Sequence, residues 1–317
     1  MMRFGIQQMQ IPVMKHDARP LLAARQQGGE AAVRAASSLL TADVAAQVAA
    51  VARLGFRTIE LNQDIDIFFP HSYNLPAIER LHLLQEELNL TYTVHLPLWS
   101  LEPSAPVEAI RQSSVDVLVD AALRLAPLQP DVFVLHATGA LASEFSRMKA
   151  LQGVEPLVLQ LFVVQAQRSI AEFLSRTGLK PRQVAVETID FPFDLTLGLA
   201  RDFDLSVCLD VGHVLAGYTS GTSLFDALRQ IGSRLAEVHL HDAYCRMAGG
   251  QTQAADHLAL GKGDVPTADL LDRLAEQGFE GPLIFELTAE EALESLRVIR
   301  TLRPTYAPKD APLQLSI

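Results

Sequence analysis

Eight short apolar runs, each followed by a stretch of helical period, constrain the fold of this chain more than any other feature. The runs are RFGIQ, RTIEL, TYTVHL, DVFVLH, QVAVE, LSVCLD, LAEVHLH and PLIFEL. They are near-continuously apolar, the pattern of strands buried on both faces. Between them, segments such as ADVAAQVAAVARLG, LPAIERLHLLQEELN, PVEAIRQSSVDVLVDAALRL and AEEALESLRVIRTL place apolar residues at i, i+3, i+4 and i+7. Gly55, Gly178 and Gly278 stand where three of these helices should stop before a strand. Repeated strand–helix units imply a parallel sheet covered by helices, and eight is the number that closes a barrel. The sequence therefore predicts an α/β fold, a (β/α)8 TIM barrel. A doubly wound open sheet is the alternative, but no Gly-rich fingerprint follows the first strand.

One barrel accounts for residues 1–302 of the 317. Within it, residues 8–40 read as a long insertion after the first strand, bearing Lys15, Arg19, Arg25 and Arg34 around a flexible QQGGE turn. Residues 303–317 read as a Pro-rich C-terminal tail with little to pack. The net charge of −11 and the absence of a long Lys/Arg run disfavour nucleic acid as a partner, because binding it requires phosphate neutralisation. The two cysteines, Cys208 and Cys245, are too few for a disulfide framework and fit a reducing compartment. The N-terminus lacks the apolar core of a signal peptide, and PLVLQLFVVQA is too short and too interrupted by Gln to span a bilayer. The expectation is a soluble, cytoplasmic protein acting on a small molecule, with no membrane partner and with a homo-oligomer left open.

A parallel barrel carries its chemistry at the C-terminal ends of its strands. Read in order, those ends are Glu60, His95, His136, Glu187, Asp210 with His213, His239 with His241 and Asp242, and Glu286. The segment AADHLALGKGD, between the seventh and eighth strands, adds Asp256 and His257. Six of the nine histidines fall in this set, whereas His16, His71 and His82 read as structural or solvated. Any one of these residues alone reads as a hydrogen-bonded rim residue, and Glu60, beside the insertion, is the weakest member. Together they do not, because converging carboxylates repel one another unless a cation sits among them. Mixed imidazole and carboxylate donors suit zinc, manganese, iron or cobalt, whereas calcium takes oxygen alone.

The strand-end motifs VHLPL, VLHATG, VAVET, CLDVGH, VHLHD, DHLALGKGD and PLIFELT, in that order, resemble those of the xylose isomerase-like TIM barrels, which include the endonuclease IV-type apurinic endonucleases. The resemblance implies a divalent metal, zinc or manganese, in one to three copies. Its isomerase and epimerase branch implies one ion on Glu187, Asp210, His239 and Glu286. Its endonuclease branch implies three ions, with His95, His136, His213 and His257 added. Ala255 stands where the endonucleases carry an Asp. A narrower resemblance, carried by NLPAIERL, LNLTYTVHLPL, LAPLQPDVFVLH and VAVETIDFPFD, is to the cobamide-remodelling phosphodiesterases, which cut the nucleotide-loop phosphodiester of vitamin B12-type cofactors. It implies Glu187, Glu286 and His257 as catalytic groups, and Glu187, Asp210, His239, Glu286, His95, His136 and His213 as metal ligands. His241, Asp242, Trp99 and Arg246 are then expected to contact substrate, a cobamide. On the epimerase alternative the substrate is a sugar or sugar phosphate, and Glu187 and Glu286 pass a proton across an enediolate.

Overall fold

The computed structural model describes residues 2–8, 28–29, 43–148, 153–248 and 251–308. Apart from residues 8, 28 and 29, the expected insertion at 8–40, including its four basic residues, lies outside the described residues. The first seven strands are β1 (Arg3–Gln7), β2 (Thr58–Asn62), β3 (Thr91–His95), β4 (Phe133–Leu135), β5 (Val184–Glu187), β6 (Ser206–Asp210) and β7 (Leu235–His239). Three more follow, β8 (Asp242–Ala248), β9 (Gln251–Leu258) and β10 (Pro282–Phe285). Of these ten strands among the described residues, eight run parallel and close into a barrel in the order β1-β10-β7-β6-β5-β4-β3-β2. Each of the eight apolar runs supplies one barrel strand, so the fold is the (β/α)8 barrel the sequence predicts.

Register decides what the barrel holds inside. Asn62 pairs with His95, Glu187 with Cys208, and Asp210 with His239. Side chains alternate along a strand, so Thr93 and His95, Ala185 and Glu187, Cys208 and Asp210, and Glu237 and His239 share faces two by two. The lower interior packs small apolar groups, Val132, Val134, Ala185 and Cys208. The upper interior is polar. The large core lies between the strands and the outer helices, with Phe133, Phe162, Phe173, Phe191 and Phe285 fully buried.

Helices cover the barrel as their apolar stripes dictate. The helix Glu155–Thr177 buries Leu159, Phe162, Val163, Ala166, Ile170 and Phe173, at the 3–4 residue spacing of one helical face. By length and composition it could cross a membrane, but it packs along the barrel with that face inward. It ends at Gly178, whose φ of +69° is open to glycine at little cost and whose N–H donates to Leu174. The helix Ala289–Leu302 starts with a capping box between Thr288 and Glu291 and follows the last barrel strand.

Two features differ from the sequence reading. Between β7 and β10 the chain forms an antiparallel hairpin, β8 with β9, rising from the barrel mouth. The segment begins and ends at ligand-type residues, which hides its strand character. The first part of the tail packs back: Arg303 pairs with Asp272 at 2.5 Å, and Tyr306 lies against the core. Residues 309–317 lie outside the described residues.

Candidate metal centre

His239 sits at the middle of the barrel mouth, fully buried at the end of β7. Its Nε2 lies 3.3 Å from Glu60 Oε2, which assigns that nitrogen the proton and leaves the Nδ1 lone pair facing away. Among the described residues Nδ1 has no hydrogen-bond partner, yet three carboxylates from β5, β6 and the end of β10 surround it. Glu187 Oε1 is 3.3 Å away, Glu286 Oε2 3.6 Å and Asp210 Oδ2 3.7 Å. An orphaned buried nitrogen among three acids is the arrangement a divalent cation resolves. These residues therefore fit a metal, in a carboxylate-rich set with one imidazole.

A second group shares Glu187. His136 Nε2 lies 2.9 Å and His95 Nε2 3.2 Å from its other oxygen, Oε2. His95 Nδ1 is 3.0 Å from the carbonyl of Leu96, so Nδ1 carries the proton and Nε2 offers its lone pair to the same space. Glu187 thus has one oxygen toward His239 and one toward His95 and His136. On the opposite side His213, in the short helix Val211–Leu215, is held by its N–H to Asp210 Oδ1 (2.6 Å) and by Nδ1 to the Thr188 carbonyl (3.1 Å). Its Nε2 faces Asp256 at 3.9 Å. His257, at the foot of β9, lies 3.3 Å from both Asp256 and Glu286.

Without a cation, protons hold this cluster together. Burial pushes the Glu187 carboxyl up, but His136 and His239 outweigh it and hold it well below the usual carboxylate range. Burial opposes ionisation of Glu286 too, yet His239 and His257 bring it down to about 2. Burial lowers His95, while its bond to Glu187 and the charges of Glu60 and Glu286 raise it to about 10. The raised imidazoles of His95, His239 and His257 favour the cationic form and supply positive charge beside the carboxylates.

Three residues expected to contact substrate do not line this pocket. His241 is fully buried: Nε2 lies 3.0 Å from Asp210 Oδ2, and Nδ1 accepts the N–H of His257 at 2.8 Å. Both nitrogens are spent, so the ring braces Asp210 from behind. Asp242 is also buried, and its carboxylate accepts the N–H groups of Gly261, Val265 and Ala243. It ties down the loop that follows the hairpin. Arg246 is exposed on the hairpin, paired with Asp264 at 2.6 Å and stacked over Tyr244. Trp99, in contrast, does line the pocket, 42 % exposed at its rim.

Residues 48–302 match the family described as xylose isomerase-like TIM barrel. The chain belongs to that family. An uncharacterised protein of Methanocaldococcus jannaschii is 22 % identical over 247 residues, covering 73 % of this chain and 76 % of that one. Among solved structures, a D-tagatose 3-epimerase-like protein matches with a TM-score of 0.64 at 17 % identity, over 96 % of this chain and 98 % of that chain. Endonuclease IV from Thermus thermophilus matches with a TM-score of 0.59 at 20 % identity, over 96 % and 99 %. At these identities the likenesses establish the fold.

Several residues of this xylose isomerase-like barrel do not stand out in the sequence. Gln7 donates its side-chain amide to Glu60 Oε1 at 3.0 Å and to Glu286 Oε1 at 2.8 Å, tying the first strand to the last. It ends a strand as the ligand-type residues do, but an amide is no obvious metal donor. Glu237 lies fully buried beneath His239, its Oε2 unpaired, and burial beside Glu60 pushes its carboxyl well up. Its position two residues before His239 is the signal that could have found it. Asp64 accepts the N–H groups of Leu98 and Trp99, both at 3.0 Å, and so fixes the loop after β3.

Proposed function

We propose that this protein is a divalent-metal-dependent phosphodiesterase, using zinc or manganese, and that its substrate is a cobamide cut at the nucleotide-loop phosphodiester. The observation that carries this reading is Glu187. Its two oxygens face two separate groups of ligand atoms, His239 with Asp210 and Glu286 on one side, His95 with His136 on the other. Glu187 would then help hold an ion in each group, and two ions there would supply positive charge for the attacking and leaving oxygens of a phosphate.

Bound ions would supply a water of lowered pKa and positive charge for the phosphate oxygens. The chain's own contribution is positioning. Glu60 and the Leu96 carbonyl fix the His239 and His95 tautomers so that the free nitrogens point inward. Gln7 holds Glu286, and His241 holds Asp210. His213 takes its place beside this group, within reach of Asp256. His257, 3.3 Å from Glu286 and 42 % exposed, is placed to move a proton between the pocket and water. The second reading, a sugar or sugar-phosphate epimerase, draws on Glu187 and Glu286, which flank His239 Nδ1 at 3.3 and 3.6 Å. There, one ion on the four-residue group suffices, and the two carboxylates exchange the proton.

Two measurements decide between them. Metal content of the reconstituted protein, by mass spectrometry, is expected at two or more ions per chain; one ion favours the epimerase. Incubation with a cobamide is expected to release the nucleoside portion in wild type and not in Glu187→Gln. A folded, doubly loaded protein that releases nothing removes the cobamide assignment.

A further inference from the structure

Beside the ligand pocket, which is about 310 Å3, lies a larger cavity of about 520 Å3 that shares Leu98, Trp99, His136 and His213 with it. We propose that this cavity is a subsite for a flat, uncharged ring carried by the same substrate whose reacting group meets the ligand cluster. The identity of that reacting group, a phosphodiester, rests on the function proposed above; the subsite itself rests on the cavity.

Charge comes first. Among the described residues, the lining contains no Lys or Arg. Its two acids are already committed: Glu102 is buried and accepts the N–H groups of Gly139 (2.8 Å) and Leu141 (2.7 Å) and the hydroxyl of Ser104. Asp190 pairs with the exposed Arg147 at 2.7 Å. The two lining histidines, His136 and His213, sit on the border shared with the ligand pocket, where an anionic group of the substrate would lie, so the described wall away from that border offers a ligand apolar contact rather than charge. Shape comes second. Leu101, Pro103, Leu118, Ile189 and Tyr218 line the cavity together with Trp99, and volumes of this order accommodate small-molecule ligands. A half-exposed indole in an otherwise apolar lining suits a planar group, which can stack on it. Rigidity comes third. The backbone of Leu98 and Trp99 is pinned by Asp64, and the turn at Gly139 is so close that a Cβ there would meet the Leu101 carbonyl at 2.5 Å. The cavity is therefore formed before any ligand arrives, which lowers the ordering cost of binding.

Trp99 is the one tryptophan in the chain, so its fluorescence reports on this cavity and the ligand pocket it borders, and a Leu101 variant, in the cavity lining alone, separates the two. The test titrates metal-free protein at pH 8, where benzimidazole is flat and uncharged, with benzimidazole as probe and cyclohexanol as a non-planar apolar control. The expected result is a saturable change in Trp99 emission with benzimidazole and none with cyclohexanol. Leu101→Asp, which alters this cavity but not the ligand pocket, is expected to weaken binding at least tenfold; Leu101→Ser serves if the charge disturbs folding. Linear quenching without saturation, equal binding of cyclohexanol, or unchanged affinity in a folded Leu101 variant overturns the subsite. A parallel assay of bis(4-nitrophenyl) phosphate hydrolysis by metal-loaded protein separates the two ideas. Saturable binding without hydrolysis keeps the subsite and removes the phosphodiesterase; hydrolysis without saturable binding does the reverse.

Discussion

His239 and His257 both reach the ligand cluster, but the chain holds them in opposite ways. His239 is fully buried on β7, paired in register with Asp210 on one side and Ile284 on the other. Closing the barrel places it. His257 stands on the hairpin foot with a φ of +51°, and its side chain is 42 % exposed. No barrel strand fixes it; the backbone hydrogen bond from its N–H to His241 does. The contrast separates a rigid donor set, made by strand register, from an accessory donor hung on a local contact. Substitutions in the first should act on metal retention, and those in the second on turnover and tuning.

The largest effect is expected at the carboxylate common to both ligand groups. On the proposed two-ion function, Glu187→Gln, which keeps shape and removes the charge, should weaken binding of both ions more than ~100-fold, beyond the ~10–100-fold typical of orienting partners. Competition against a chelator measures this, and a variant that retains two ions as tightly as wild type would break the reading of Glu187 as a ligand common to both groups. Glu60→Gln tests an orienting partner directly. It should cost about 10–100-fold in affinity at the His239 ion, while the ion on His95 and His136 is affected less. Equal loss at both positions would show that Glu60 supports the barrel rather than the tautomer of His239.

A smaller effect is expected where His241 is seated. A Cβ on Gly212 would fall 2.0 Å from the His241 ring, so Gly212→Ala must push the imidazole off Asp210 and away from the His257 N–H. Overpacking of this kind costs about 1–3 kcal/mol. Chemical denaturation of the metal-free protein should show it, and an unchanged midpoint would mean that the ring has room the geometry does not show.

How much of this was legible in the sequence follows from what pattern can encode. The strands announced themselves because both faces are buried, and the outer helices because one face is. Strand ends alone brought His95, His136, Glu187, Asp210, His239 and Glu286 to one mouth, because barrel topology makes them converge. What failed were the contacts set by depth. His241 and Asp242 follow β7 closely enough to look like pocket residues, yet both turn into the protein, and only the three-dimensional path of the hairpin shows this. The Gly249-Gly250 pair between two alternating runs is a hairpin signal, masked by the ligand-type residues that flank it. Gln7 and Glu60 orient the site rather than offering a donor to its centre, and residue type alone does not reveal that.

The finest test of the comparison is the pH dependence of the metal-free fold. His95 is raised from 6.5 to about 10, against the pull of burial, chiefly by Glu187. A raised group contributes stability that is fully present below its unfolded value and lost as pH climbs through its folded one. That loss should therefore run from about pH 6.5 to 10. Glu286, lowered from 4.5 to about 2, contributes above 4.5 and loses its contribution as pH falls through 2. With chelator present, the thermal midpoint should be highest between these limits and decline on both sides. Burial lowers His257 too, while Asp256 and Glu286 raise it to about 11, but its half-open position lets water screen those pairs. Replacing His95 by Gln should flatten the alkaline limb, and replacing His257 by Gln should barely change it. If the two variants flatten it equally, the hairpin histidine is as firmly part of the cluster as the strand histidines, and the division between register and local contact fails.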